Sequence, residues 1–103
     1  MLTYLDLFAG AGGWSIGFKE AGYQHAGMYD FNESACRTAA HNFGDLVHHV
    51  DLSRHDDLRF PEVDVVCGSP PCQGFSNEGY KQVDDPRNSL VWSYLEIIRR
   101  IRP

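Results

Sequence analysis

Thr3-Tyr4-Leu5-Asp6-Leu7-Phe8-Ala9-Gly10-Ala11-Gly12-Gly13 is the stretch from which the fold follows. Its first six residues are mostly apolar, and a short continuous run of this kind reads as a strand buried on both faces of a parallel sheet. Glycines end it, and Gly13 to Ala21 follows with Trp14, Phe18 and Ala21 at helical spacing and Gly22 suited to the position after a helix. The opening is therefore strand, glycine turn, helix.

The same order repeats downstream. His25 to Tyr29 reads as a second strand, Asn32 as the cap of a helix running through Ala35, Cys36, Ala39 and Ala40, and Asn42-Phe43-Gly44 as its close. Leu46 to Val50 reads as a third strand and Val63-Asp64-Val65-Val66-Cys67, rich in β-branched residues, as a fourth that stops at Gly68-Ser69-Pro70-Pro71. A loop of Gly, Pro, Asn and Asp runs to about Pro86. Leu90, Tyr94, Ile97, Ile98 and Ile101 then trace one face of a helix with Arg99, Arg100 and Arg102 in its last turns, where cations suit the helix dipole. Strands alternating with helices imply right-handed crossovers and an open, doubly wound α/β sheet. Only four strands are visible where such sheets have about six, so the chain reads as one half plus its crossing strand.

Composition bounds the function. The 103 residues, 43% hydrophobic and 22% charged, leave room for at most one domain. A chain of this length buries roughly 60 to 65% of its unfolded surface, a modest core unless another polypeptide completes it. No apolar run approaches the ~20 residues of a membrane span. The amino terminus lacks the basic and small-residue parts of a secretory signal, so an intracellular location is expected, cytoplasm or nucleoid in a bacterium. Cys36, Cys67 and Cys72 are an odd set without disulfide spacing and fit free thiols. A net charge of −5 supplies no footprint for a nucleic acid. No metal site is expected, because Cys67 and Cys72 flank a Pro-Pro pair and no second ligand pair follows. The five histidines are expected on surfaces and helix ends.

Two constellations carry chemistry. Glycines after the first strand let a backbone approach a ligand, and Asp30 lies twenty positions past Gly10, where an acid would meet ribose hydroxyls. Ser15 stands where a dinucleotide fingerprint has its third glycine, which favours a nucleoside without a pyrophosphate; a nicotinamide or flavin domain is the competing reading. Phe31 could stack on an adenine, and Asp51 could accept from its amine or simply cap a turn. The second constellation is Gly68-Ser69-Pro70-Pro71-Cys72-Gln73-Gly74-Phe75-Ser76, at the carboxyl end of the fourth strand, where two prolines stiffen the backbone before a thiol. That suits a nucleophile, although no neighbouring Lys, Arg or His in the segment would favour its thiolate.

Together Asp6-Leu7-Phe8-Ala9-Gly10-Ala11-Gly12-Gly13 and the Pro-Pro-Cys72-Gln73-Gly74-Phe75-Ser76 segment closely resemble the DNA (cytosine-5) methyltransferase family. Asp30-Phe31-Asn32, Asn42-Phe43, Asp51-Leu52 and Asp85-Pro86-Arg87-Asn88-Ser89-Leu90 extend the resemblance in the family's order. It implies an incomplete Rossmann-like, S-adenosylmethionine-dependent methyltransferase fold of about four parallel strands with flanking helices. By resemblance, Phe8, Gly10, Gly12 and Gly13 form the cofactor loop, Asp30 holds the ribose, and Phe31, Asp51, Leu52 and Leu90 surround the rest of the cofactor. Asp30 departs from the glutamate more common in the family. Cys72 would be the nucleophile that adds to cytosine C6, with Gln73, Ser76 and Arg87 on the loop over a flipped base.

The resemblance also implies that residues 1–103 are the N-terminal portion of a catalytic domain. The family's Glu-Asn-Val motif, arginine-containing strand, target-recognition domain and final helix have no counterpart here. The expected activity is DNA (cytosine-5-)-methyltransferase on double-stranded DNA, gripped mainly by the missing region, with the isolated chain inactive unless a C-terminal polypeptide complements it. An inactive cofactor-binding remnant and a tRNA cytosine-5 methyltransferase are the alternatives. The fourth strand is expected to present an unpaired edge.

Overall fold

The structure, a computed structural model, describes residues 1–71 and 89–103. Strand β1 (Thr3–Leu7) leads through the glycine turn to helix α1 (Gly13–Glu20), then β2 (Gln24–Asp30), α2 (Glu33–Phe43), β3 (Val47–His49), β4 (Val65–Gly68) and α3 (Ser89–Ile101). Short 3₁₀ segments cover Gly44–Leu46 and Leu52–Asp57. The four strands form one parallel sheet in the order β3-β2-β1-β4. The chain steps outward from β1 to β3 and then crosses back, so the order reverses between β1 and β4. Among the described residues β4 pairs only with β1.

Alternation along β1 divides the core. Leu5 and Leu7, both fully buried, join Tyr29, Leu52, Val63 and Ile97 on the face covered by α3 and the Leu52–Asp57 segment. Tyr4 points to the opposite face, where its ring stacks on Phe18 at 5.0 Å and its hydroxyl donates to the Ser15 carbonyl. His25 continues that layer, 5.1 Å from Tyr4 and 5.0 Å from Phe43, and draws α1 and α2 onto the same face. Arg100 ties α3 to the 3₁₀ segment by donating to the His55 and Leu58 carbonyls at 2.7 and 3.2 Å.

Several expectations are corrected. Strand β3 is shorter than Leu46 to Val50, because Leu46 closes a 3₁₀ turn. Strand β4 begins at Val65; Val63 is buried in the core without joining the ladder. Of the Trp14, Phe18, Ala21 stripe of α1 only Phe18 packs inward, against Tyr4, while Trp14 and Ala21 are exposed. Trp14 is 54% exposed, and the buried residue of the helix is Ser15. The histidines are not all peripheral either: His25 sits between two aromatic rings with both ring nitrogens buried and without a hydrogen-bond partner among the described residues, and His48 stacks on Tyr29 at 4.7 Å.

Candidate active site

Beyond the carboxyl ends of the strands lies a cavity of about 660 Å³, within the roughly 300–1,000 Å³ typical of small-molecule sites. Its walls come from all four strand ends: Phe8, Ala9 and Gly10 after β1; Asp30, Phe31 and Asn32 after β2; Asp51 and Leu52 after β3; Ser69 and Pro71 after β4; and Leu90 from α3. This is where an open parallel sheet with reversed strand order leaves a crevice.

The loop after β1 is held in an unusual shape. Phe8 has φ of +54°, a sparsely populated conformation for a bulky residue, and Gly10 follows at +58°. Ala9 N–H donates to the Tyr29 carbonyl and Gly12 N–H to the Ala9 carbonyl. Gly10 N–H donates to Asp30 Oδ2 at 2.7 Å, while Asn32 N–H donates to Asp30 Oδ1 at 2.8 Å. The twenty-residue spacing thus places the carboxylate where it clamps the glycine loop. Each carboxylate oxygen can accept more than one hydrogen bond, so Asp30 keeps acceptor capacity toward the cavity.

Asp51 caps the 3₁₀ segment, its Oδ1 accepting from Ser53 N–H at 2.9 Å and the Ser53 hydroxyl at 2.6 Å. Those bonds hold its carboxyl below the usual range, so it is ionised at neutral pH. Phe31 is 70% exposed, an aromatic face left bare at the cavity wall. The His49 ring bonds the Phe31 carbonyl through Nε2 at 2.7 Å and fixes the backbone beneath it.

Of the residues expected around a cofactor, Phe8, Gly10, Asp30, Phe31, Asp51, Leu52 and Leu90 line this one cavity. Gly12 and Gly13 lie outside its lining. Gly12, at φ +102°, leaves no room for a side chain, since a Cβ there would come within 2.8 Å of Met28 Cε and 3.2 Å of the Phe43 ring. Ala9, Asn32, Ser69 and Pro71 were not singled out as cofactor contacts. Cys72, Gln73, Ser76 and Arg87 lie outside the described residues.

Strand β1 also carries a buried polar group, two residues before Phe8. Asp6 is fully buried; Ser15 Oγ donates to its Oδ2 at 2.7 Å, and Oδ1 has no hydrogen-bond partner among the described residues, the Cys67 thiol lying beside the carboxyl. Burial outweighs the Ser15 bond and raises the Asp6 pKa. Ser15 therefore occupies the place of a third fingerprint glycine with a structural hydrogen bond. Burial, reinforced by the Asp6 charge, pushes the Cys67 thiol up to about 12. The Cys36 thiol is raised by burial and then by Asp30, and it donates to the Asp30 carbonyl at 3.5 Å. Both thiols are protonated structural groups. No cluster of three or more His, Cys, Asp or Glu suited to a metal occurs among the described residues, and no described helix is long and apolar enough to cross a membrane.

Residues 2–103 match the model of the family described as C-5 cytosine-specific DNA methylase. The chain belongs to that family. It is 40% identical over 112 aligned positions to the Type II methyltransferase M1.HphI of Haemophilus parahaemolyticus, an alignment covering 99% of this chain and 30% of that protein. A crystal structure assigned as a DNA modification methyltransferase encoded within an E. coli prophage superposes with a TM-score of 0.77 at 31% identity, covering 100% of this chain and 30% of that one. The S. pombe Dnmt2 methyltransferase gives 0.71 at 25% identity, over 100% of this chain and 33% of that one. The chain thus spans about a third of the length of each. Its fold is the Rossmann-like fold of the S-adenosylmethionine-dependent DNA methyltransferases, and the competing dinucleotide reading falls away.

Proposed function

We propose that this chain is the cofactor-binding and nucleophile-bearing N-terminal portion of a methyltransferase acting on C5 of cytosine in double-stranded DNA. The observation that supports this best is the single cavity in which Phe8, Gly10, Asp30, Phe31, Asp51 and Leu52 converge at the carboxyl edge of the sheet of a C-5 cytosine-specific methylase chain. S-adenosylmethionine would supply an electrophilic methyl group there. The residues fit it. Asp30 has spare acceptor capacity for ribose hydroxyls, Phe31 offers a bare aromatic face for a purine, Asp51 Oδ2 can accept from an exocyclic amine, and Leu52, Leu90 and Phe8 supply apolar walls.

The reaction asks for a nucleophile because C5 of cytosine is a poor partner for a methyl donor. A Cys72 thiolate adding to C6 converts the ring to an enamine-like species with electron density at C5. Once C5 carries the methyl group, loss of the C5 proton and β-elimination release Cys72. The base must leave the duplex for its ring edge to be reached, with Gln73, Ser76 and Arg87 on the closing loop. Cys36 on α2 and Cys67 on β4, both protonated, are not suited to the step. The grip on DNA and the group that stabilises the charge on the cytosine ring belong to the part of the relatives that this chain does not span; losing one such electrostatic contact commonly costs ~10²-fold or more. The chain alone is accordingly expected to be inactive.

The test is covalent trapping. Joined to or mixed with the remaining two-thirds of a relative, the chain should form a denaturation-resistant adduct with 5-fluorocytosine DNA in the presence of S-adenosylmethionine, and Cys72→Ala should abolish it. Equal trapping by Cys72→Ala would refute the mechanism. Trapping on 5-fluorocytosine RNA alone would move the substrate to RNA, and cofactor binding without any adduct would leave a cofactor-binding remnant.

A further inference from the structure

The cavity is polarised. Its two carboxyl side chains, Asp30 and Asp51, stand on the walls after β2 and β3, and none of the described lining residues is a Lys, Arg or His. A ligand with amine and hydroxyl donors at one end and a carboxylate at the other is therefore driven to put its donors against the aspartates and its carboxylate at the far wall, after β4. Among the described residues of that wall, Ser69 carries the polar side chain.

Ser69 is held from two sides. Its backbone N–H donates to the Leu7 carbonyl at 3.2 Å, which fixes it against the end of β1. The Trp14 indole Nε1–H donates to Ser69 Oγ at 2.9 Å. An indole nitrogen only donates, so the Ser69 oxygen acts as acceptor toward Trp14 and its own O–H remains to be donated elsewhere. Among the described residues no acceptor takes that proton. Trp14 itself does not line the cavity. Its exposed position at the start of α1 is thus explained: the indole is placed to orient a serine.

We propose that the Ser69 hydroxyl, oriented by the Trp14 indole, donates a hydrogen bond to the carboxylate of the cofactor's amino-acid end, making Ser69 a binding residue and Trp14 a positioning residue. This rests on the cofactor reading above. A hydrogen bond to a charged group is worth about 1.5–3 kcal/mol, so its loss weakens binding roughly 10-fold or more. Loss of orientation alone costs less, about 3-fold.

The experiment compares S-adenosylhomocysteine with 5′-methylthioadenosine by calorimetric titration of the 103-residue chain. The two ligands share the adenosine and the thioether, and only the first carries the amino acid. Ser69→Ala should weaken S-adenosylhomocysteine about 10-fold and leave methylthioadenosine unchanged; Trp14→Phe should do the same to a smaller degree; Ser69→Thr should restore binding; and the double variant should match Ser69→Ala. Unchanged S-adenosylhomocysteine affinity in Ser69→Ala, or an equal loss for both ligands, would overturn the assignment while leaving the pocket intact. Binding of neither ligand by the unaltered chain would overturn the pocket reading and the Ser69 assignment with it.

Discussion

Gly12→Ala separates what the glycine turn does for the fold from what it does for the cavity. Gly12 has φ of +102°, and a Cβ there would meet Met28 Cε at 2.8 Å and the Phe43 ring at 3.2 Å. Placing an L-residue in so sparsely populated a conformation costs on the order of 1–3 kcal/mol. Met28 is 1% exposed, so its thioether end gives way only by leaving a preferred rotamer, at about 0.5–1.5 kcal/mol. The sum, about 1.5–4.5 kcal/mol, is a large share of the roughly 5–15 kcal/mol expected of such a domain. Gly10→Ala provides the control. At φ +58° with no atom within 4 Å of the built Cβ, it carries backbone strain of about 1–2 kcal/mol without the clash. Urea unfolding followed by far-ultraviolet circular dichroism should rank wild type above Gly10→Ala and Gly10→Ala above Gly12→Ala. Adding Met28→Ala to Gly12→Ala should be less damaging than the sum of the two singles. The folded fraction of Gly12→Ala should keep its affinity for S-adenosylhomocysteine, since Gly12 is not in the cavity wall. A change below 0.5 kcal/mol for Gly12→Ala would refute this reasoning.

Three further outcomes follow from the packing. Burial lowers the His25 pKa below its ordinary 6.5, with Lys19 and His48 adding to the effect, so the unfolded chain binds the proton more tightly; this contribution to stability is complete above pH 6.5 and is lost as pH falls below it, and His25→Phe should flatten that slope in acid unfolding curves. Phe31→Ala should leave the urea midpoint unchanged, because the ring is 70% exposed, and weaken S-adenosylhomocysteine about 10-fold in calorimetry through lost stacking worth ~1–3 kcal/mol; an unchanged affinity would remove Phe31 from the site. Arg100→Ala should cost about 1–2 kcal/mol in urea unfolding by breaking both bonds from α3 to the 3₁₀ segment, and Arg100→Lys should recover only part of it.

The sheet was legible because β1 and β2 are buried on both faces and punctuated by glycine, acid and cap residues, so hydrophobic pattern and turn chemistry agree. The bounds of β3 and β4 were less so, since Leu46 and Val63 are apolar for reasons other than ladder pairing. The Leu52–Asp57 segment has no apolar period to announce it; its signal is the Asp51 side chain bonded to Ser53. Helix α1 misled for a related reason. A fully buried Asp6 requires a donor, so the helix turns Ser15 inward, a polar demand that an apolar stripe cannot reveal. Within the candidate site, the Gly10 to Asp30 spacing carried a distance that the structure makes concrete as a 2.7 Å hydrogen bond. Ser69 and Pro71 lay in a segment already marked for chemistry, but a contact between Trp14 and Ser69, 55 positions apart, leaves no periodic trace.

The central claim is that the cavity at the carboxyl edge of the sheet binds the cofactor. Its most direct measurement is amide chemical-shift mapping of the isotope-labelled chain titrated with S-adenosylhomocysteine. Saturable shifts should cluster on Phe8 to Gly10, Asp30 to Asn32, Leu52, Ser69 and Leu90, with the outer groove of α1 around Gly17 and Ala21 silent. Shifts confined to that groove, or none at all, would contradict the account.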